Sequence, residues 1–225
     1  MRITSVVQAV LLVSALSAPL AAQSGMAGMD MTTKINGSGR LPDGWMLRWD
    51  SGTPAMTEIE MKQMGTALHF RSGPAAIYYN PKNVARGEYT VSANFSQART
   101  MQHESYGLFI AGANLQDATQ NYLYFVVRPS DGAILISHRS GNVAPTAIVP
   151  MTPDDAVNKD NASTGATSNV LAIRVSKDSL HFYTNGRQVR SLAKTALNGM
   201  STDGIAGIRV NHNLDIEVDG FGIKK

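Results

Sequence analysis

The chain reads as an all-β protein, an antiparallel sandwich or barrel, and three observations lead there. Apolar and polar residues alternate with a period of two in about ten short runs, each bounded by Gly, Asn, Asp or Pro. No stretch of similar length carries the 3.6-residue period of an amphipathic helix. The chain holds 20 Gly and is only 16% charged, against roughly 25% in an average soluble domain, as tight turns and extensive apolar burial require.

The first 22 residues stand apart. Met1 and Arg2 form a short positive start, 6–20 is apolar, and Leu20, Ala21 and Ala22 precede Gln23. This is the pattern of a secretory signal peptide cleaved after Ala22, so the rest is expected to be secreted or periplasmic. The apolar run is shorter than the roughly 20 residues that span a bilayer, and no membrane span is expected. Residues 23–39 are small and polar, with Met26, Met29 and Met31, and read as a flexible leader. Thioethers at that spacing suit Cu(I), but no His or Cys accompanies them.

Residues 40–225 then form one β-sandwich domain. Weak alternation marks strands at 45–50 and 55–64. Clearer alternation follows at 66–72, 75–79, 88–96, 106–111, 121–128, 133–139, 170–177, 180–184, 205–211 and 214–223. Three turns fix neighbours. Pro129-Ser130-Asp131-Gly132 joins two apolar runs, Lys177-Asp178 joins two more, and Asn185-Gly186 is the strongest short hairpin signal in the chain. The polar stretch 150–169 is too long for a hairpin loop and reads as a mobile lid or plain disorder. On the last strand Asp215, Glu217 and Asp219 alternate with Leu214, Ile216 and Val218, and Arg174 and Arg209 are the expected partners of these acids across the sheet.

Composition excludes several functions. With no cysteine there are no disulfides, thiolate metal ligands or thiol nucleophiles. A net charge of +3 from 20 Lys+Arg and 17 Asp+Glu, dispersed along the chain, gives nucleic acid no phosphate-binding footprint.

From Gly87 onward the pattern resembles the concanavalin A-like lectin/glucanase jelly roll. Within that superfamily it is most similar to laminin-G-like modules and to the secreted bacterial family named for 3-keto-disaccharide hydrolases. The resemblance rests on Tyr106-Gly107-Leu108-Phe109-Ile110, Asn121-Tyr122-Leu123-Tyr124-Phe125-Val126-Val127-Arg128, Asn169-Val170-Leu171-Ala172-Ile173-Arg174-Val175 and Leu180-His181-Phe182-Tyr183-Thr184-Asn185-Gly186. It continues in Gly204-Ile205-Ala206-Gly207-Ile208-Arg209 and Val218-Asp219-Gly220-Phe221. It implies a two-sheet jelly roll and, as functions, a module that binds saccharide without strong catalysis, a hydrolase of keto-sugar glycosides, or an interaction domain with no small-molecule site. The retaining glucanases of this fold use Glu-x-Asp-x-x-Glu on one strand. The nearest segment, Glu58-Ile59-Glu60-Met61-Lys62-Gln63, lacks the central Asp and ends on Gln63.

Two groups of residues are the site candidates. His103 and Glu104 combine an imidazole with a carboxylate and suit acid/base work, Tyr106 just after them is a candidate ligand-binding residue, and His138 is placed on the same sheet surface. Tyr122 and Tyr124 share a strand face with Arg128. If Leu123, Phe125 and Val127 take the core, that face is an open sugar-stacking platform; alternatively both faces are covered. Trp45 and Trp49 are either core or platform. No cofactor is assigned; Ca²⁺ suits the fold, but the acids are too scattered to name a site for its 6–8 oxygen ligands.

Overall fold

The computed structural model describes residues 35–100 and 104–225, with the side chains of residues 99 and 100 left out. The expected signal peptide, most of the leader and His103 lie outside these residues. Among the described residues no helix is long and apolar enough to cross a membrane.

Fourteen strands and two short 3₁₀ turns make up the described chain. They are β1 (Met46–Trp49), β2 (Ile59–Met64), β3 (Ala67–Ser72), β4 (Ala76–Ala85), β5 (Tyr89–Thr100), β6 (Tyr106–Ala113) and β7 (Asn121–Arg128). There follow β8 (Ala133–Ser140), β9 (Thr146–Pro153), β10 (Thr167–Val175), β11 (Ser179–Thr184), β12 (Arg187–Ala193), β13 (Gly204–Val210) and β14 (Leu214–Lys224). One seven-stranded sheet runs β1-β4-β13-β6-β7-β8-β9 and the other β12-β11-β10-β5-β14-β3-β2, with every pairing antiparallel. Of the sandwich or barrel expected from the alternation it is the sandwich, and it is the two-sheet jelly roll that the resemblance implies.

The three turns fall where their chemistry puts them. Arg128 pairs with Ala133, Val175 with Leu180 and Thr184 with Arg187. Asn185 and Gly186 both take positive φ, 51° and 80°, which the two-residue hairpin turn demands.

The two sheets face each other across one apolar layer. Tyr78, Leu108, Leu123, Phe125 and Ile208 from the first meet Phe70, Phe95, Ile173, Phe182 and Ile216 from the second. Tyr106 belongs to this layer. It is fully buried, stacks on Phe95 with ring centroids 5.1 Å apart, and its Oη accepts from Asn169 Nδ2 at 3.2 Å.

The stretch 150–169 has more structure than its composition implies. Its first part extends β9, its end begins β10, and an amide network holds what lies between. Asn158 N–H donates to Asn169 Oδ1 at 2.8 Å, and Asn185 Nδ2 donates to the same oxygen at 2.9 Å and to Ala156 O at 2.7 Å.

The acids of β14 also find partners other than the arginines expected for them. Its neighbours are β3 and β5, so His69 Nε2 meets Asp215 Oδ1 at 2.7 Å and Thr66 Oγ1 donates to Asp219 Oδ1. Arg174 is separated from β14 by β5, and Arg209 lies in the other sheet.

Candidate functional site

The first sheet is apolar on both faces. On the face turned away from the second sheet, Ile77, Tyr79, Phe109, Tyr122, Tyr124 and Val126 form a second buried cluster. The sequence of β7 already carries this: Tyr122, Tyr124 and Val126 alternate with Leu123, Phe125 and Val127, so neither face is polar enough for open water. The open tyrosine platform is therefore not what the fold builds. Tyr122 and Tyr124 are 1% and 5% exposed, which is the covered alternative.

Loops close over this face. Leu115 of the β6–β7 connection enters the cluster, and Gln116 Nε2 donates to Tyr79 Oη at 2.6 Å and to Leu47 O at 2.9 Å. Arg48 on β1 completes the clamp, donating from Nη1 to Gln116 O at 2.7 Å and from Nη2 to Asn142 Oδ1 at 2.8 Å.

Beneath the loops lies a buried charge cluster. Arg209 projects from β13, and its guanidinium sits 4.5 Å from the Tyr124 ring centroid. Its Nη1 and Nη2 donate to the two Asp50 oxygens at 2.7 and 2.5 Å, the paired geometry that suits a guanidinium and a carboxylate. Arg139 from β8 donates to Asp50 O at 2.7 Å and to Val143 O. The Arg209 and Arg139 side chains are 6% and 5% exposed, and the Nε of each has no partner among the described residues. Burial pushes the Asp50 carboxyl up. The charge and hydrogen bonds of Arg209, with Arg139 behind it, outweigh that and hold the carboxyl below its ordinary range.

A cavity of about 760 Å³ opens beside this cluster along β1. Trp45, Trp49, Arg48, Asp50, Gln116 and Asn142 are among its walls, with Met46 and Met56 exposed at its side. Both indoles are half-buried against the core, and Trp45 lies 6.2 Å from Phe221. Trp49 lies opposite Ala76 of the inter-sheet layer and Arg48 opposite Ile77 of the outer face, so the cavity follows the edge of β1 with the two indoles on one side and an arginine, a carboxylate and two amides on the other.

The other residues picked out from sequence scatter around this framework. Arg128, at the far end of β7, pairs with Asp131 at 2.5 Å. Its pKa is raised by that hydrogen bond and further by the charges of Asp131 and Glu104. Glu104 lies 3.5 Å from His212 Nδ1, an imidazole that the sequence marks only as a turn residue. His138 is not on the tyrosine face. Its strand partner is Leu123, so it points toward the inter-sheet layer and meets Asn121 Oδ1 at 2.5 Å. Asn121 and Arg128 end the same strand, which puts His138 and Glu104 roughly 20 Å apart, too far to act together. Among the described residues no group of three or more His, Asp or Glu is arranged to hold a metal ion.

Asp50, Arg48, Arg139, Arg209, Gln116 and Asn142 were not foreseen as a group, because they come from three strands and three loops that meet only in the fold. One signal did exist: an arginine within a strand whose two faces are both apolar must be buried, and a buried arginine needs a partner.

No family model and no curated protein matches the chain. Solved structures do. A carbohydrate-binding module, CBM66, from Bacillus subtilis superposes with a TM-score of 0.58 at 12% identity, covering 81% of this chain and 96% of that one. A Bacillus subtilis protein of unknown function with a galectin-like fold gives 0.58 at 16% identity, over 80% and 88% of the two chains. A laminarinase from Flavobacterium gives 0.50 at 12% identity, over 78% and 90%. At such identities the likeness is one of fold, and the fold is a two-sheet antiparallel jelly roll.

Proposed function

We propose that this chain is a saccharide-binding jelly-roll module whose site is the cavity along β1, not the tyrosine face. With residues 1–22 read as a signal peptide, the module works outside the cytoplasm. The observation that carries the proposal is the wall chemistry of the cavity: Trp45 and Trp49 beside Arg48, Asp50, Gln116 and Asn142. Sugar rings offer apolar C–H faces to indoles and hydroxyls to amides, carboxylates and guanidinium groups. The first of the similar structures named above is itself called a carbohydrate-binding module. The site favours binding over hydrolysis, because glycoside cleavage uses two carboxylates and Asp50 is the one acid in the cavity wall, already held by Arg209.

The chain contains only two tryptophans, and both line the cavity. Titrating the protein with a panel of neutral and acidic oligosaccharides should change tryptophan emission in a saturable way, and Trp49→Ala should weaken the bound sugar at least tenfold. Failure of every glycan to bind would leave the interaction-domain reading, which the closed tyrosine face favours. Turnover of 3-keto disaccharides, lost in Glu104→Ala or His212→Ala, would instead move the function to the Glu104–His212 pair.

A further inference from the structure

The charge around the cavity is unbalanced. Arg48, Arg139 and Arg209 gather about one carboxylate, Asp50. Arg209 takes both carboxylate oxygens, while Arg139 bonds two backbone carbonyls and the Tyr122 hydroxyl, all neutral, and lies 3.9 Å from the nearer Asp50 oxygen. Arg48 is held by a carbonyl and an amide oxygen, both neutral. Of the acids near the cluster's strands, Glu104 lies beside His212, and Asp131 is held by Arg128 at the far end of β7. The three guanidinium groups are also tied into one locale, since Arg48 bonds Asn142 and Arg139 bonds the adjacent Val143. The Nε of Arg139 and of Arg209 are buried and unpartnered among the described residues. Positive charge behind low-dielectric walls raises the potential inside a cleft and favours an anion there.

We propose that the saccharide taken by this cavity is acidic, an oligosaccharide with one uronate whose carboxylate meets Arg48 on one side of the β1 edge while a neighbouring ring reaches the indoles of Trp45 and Trp49 on the other. This rests on the saccharide-binding reading and adds the charge class of the ligand. Arg48 uses one N–H of each Nη in the clamp, and its other N–H groups remain to meet a planar carboxylate, which the guanidinium fork fits better than a point charge does. Asp50, with both oxygens held by Arg209, is an acceptor for ring hydroxyls and adds no uncompensated negative charge.

Trigalacturonate and its methyl ester test the charge, because esterification removes the negative charge and adds no more than a methyl group to each carboxyl. The acid should bind at least tenfold more tightly at 0.05 M salt. That margin should collapse toward unity at 1 M salt, where the Debye length falls to about 3 Å. Arg48→Gln should remove most of the margin, and Arg48→Lys, which keeps the charge and the stem, should retain part of it; circular dichroism of both variants verifies the fold. Equal affinity for acid and ester would overturn the acidic assignment and leave the saccharide module standing. Tighter binding of a sulfated galactose trimer than of the uronate would overturn the carboxylate assignment. Binding of no sugar, neutral or acidic, would overturn both readings.

Discussion

Asp50 and Arg209 show what one ion pair does inside an apolar face. Two guanidinium groups and a carboxylate leave water there, and the paired hydrogen bonds between Arg209 and Asp50, with the Tyr124 ring beneath, offset that cost. Removing one partner strands the other. Asp50→Asn should therefore cost about 3–5 kcal/mol in urea unfolding, while Asp50→Asn with Arg209→Met should cost less than the sum of the two single changes. The pair also sets an acid limit. The folded carboxyl titrates below its unfolded value, so its contribution is complete above about pH 4 and is lost as pH falls through the lowered pKa; Asp50→Asn should flatten that part of the stability profile. His138 behaves differently. Burial alone lowers its pKa, so its imidazole should titrate below about 6.5 in an NMR pH series. Stability should fall as pH drops from that unfolded value through the lowered folded one, and His138→Gln should remove this slope.

Among the elements, the β11–β12 hairpin has the clearest local cause. Asn185 holds a positive φ, and its side chain also ties three segments together, bonding Ala156 O, Asn169 Oδ1 and Val170 N–H. Asn185→Ala should cost about 2–4 kcal/mol, combining left-handed strain with lost buried hydrogen bonds. Asn185→Gly, which keeps the backbone freedom, should cost less, and chemical denaturation separates the two. Strand β9 left a weaker trace. It carries Pro150 and Pro153, which the edge of a sheet tolerates and its middle does not, so its sequence looks like loop. Strand β12 is an edge of the second sheet. Mostly exposed, it lacks the strict alternation that a half-buried strand imposes, and only its first residues were visible through the hairpin turn. Both were hard to see for the same reason: an edge strand buries too little to constrain its side chains.

At the scale of the whole molecule, the last two strands complete both sheets from within. β13 lies between β4 and β6, and β14 lies between β5 and β3, so each sheet lacks a central strand until the C-terminal segment arrives. A chain ending at Asn213 should lose β14, expose the apolar flanks of β3 and β5, and show no cooperative melt by circular dichroism. The same topology separates what was legible early from what was not. Alternation, turn chemistry and low charge determined most of the strands, the three hairpins and the antiparallel all-β class, because each depends on near neighbours in the chain. The covering of Tyr122 and Tyr124, the placing of His138 on the opposite face, and the meeting of Arg48, Asp50, Arg139 and Arg209 depended on how the β6–β7 connection and the segment after β1 fold across a sheet. A period of two says that a side chain lies on one face or the other. What lies over that face is decided by residues distant in sequence, and only the tertiary structure brings them there.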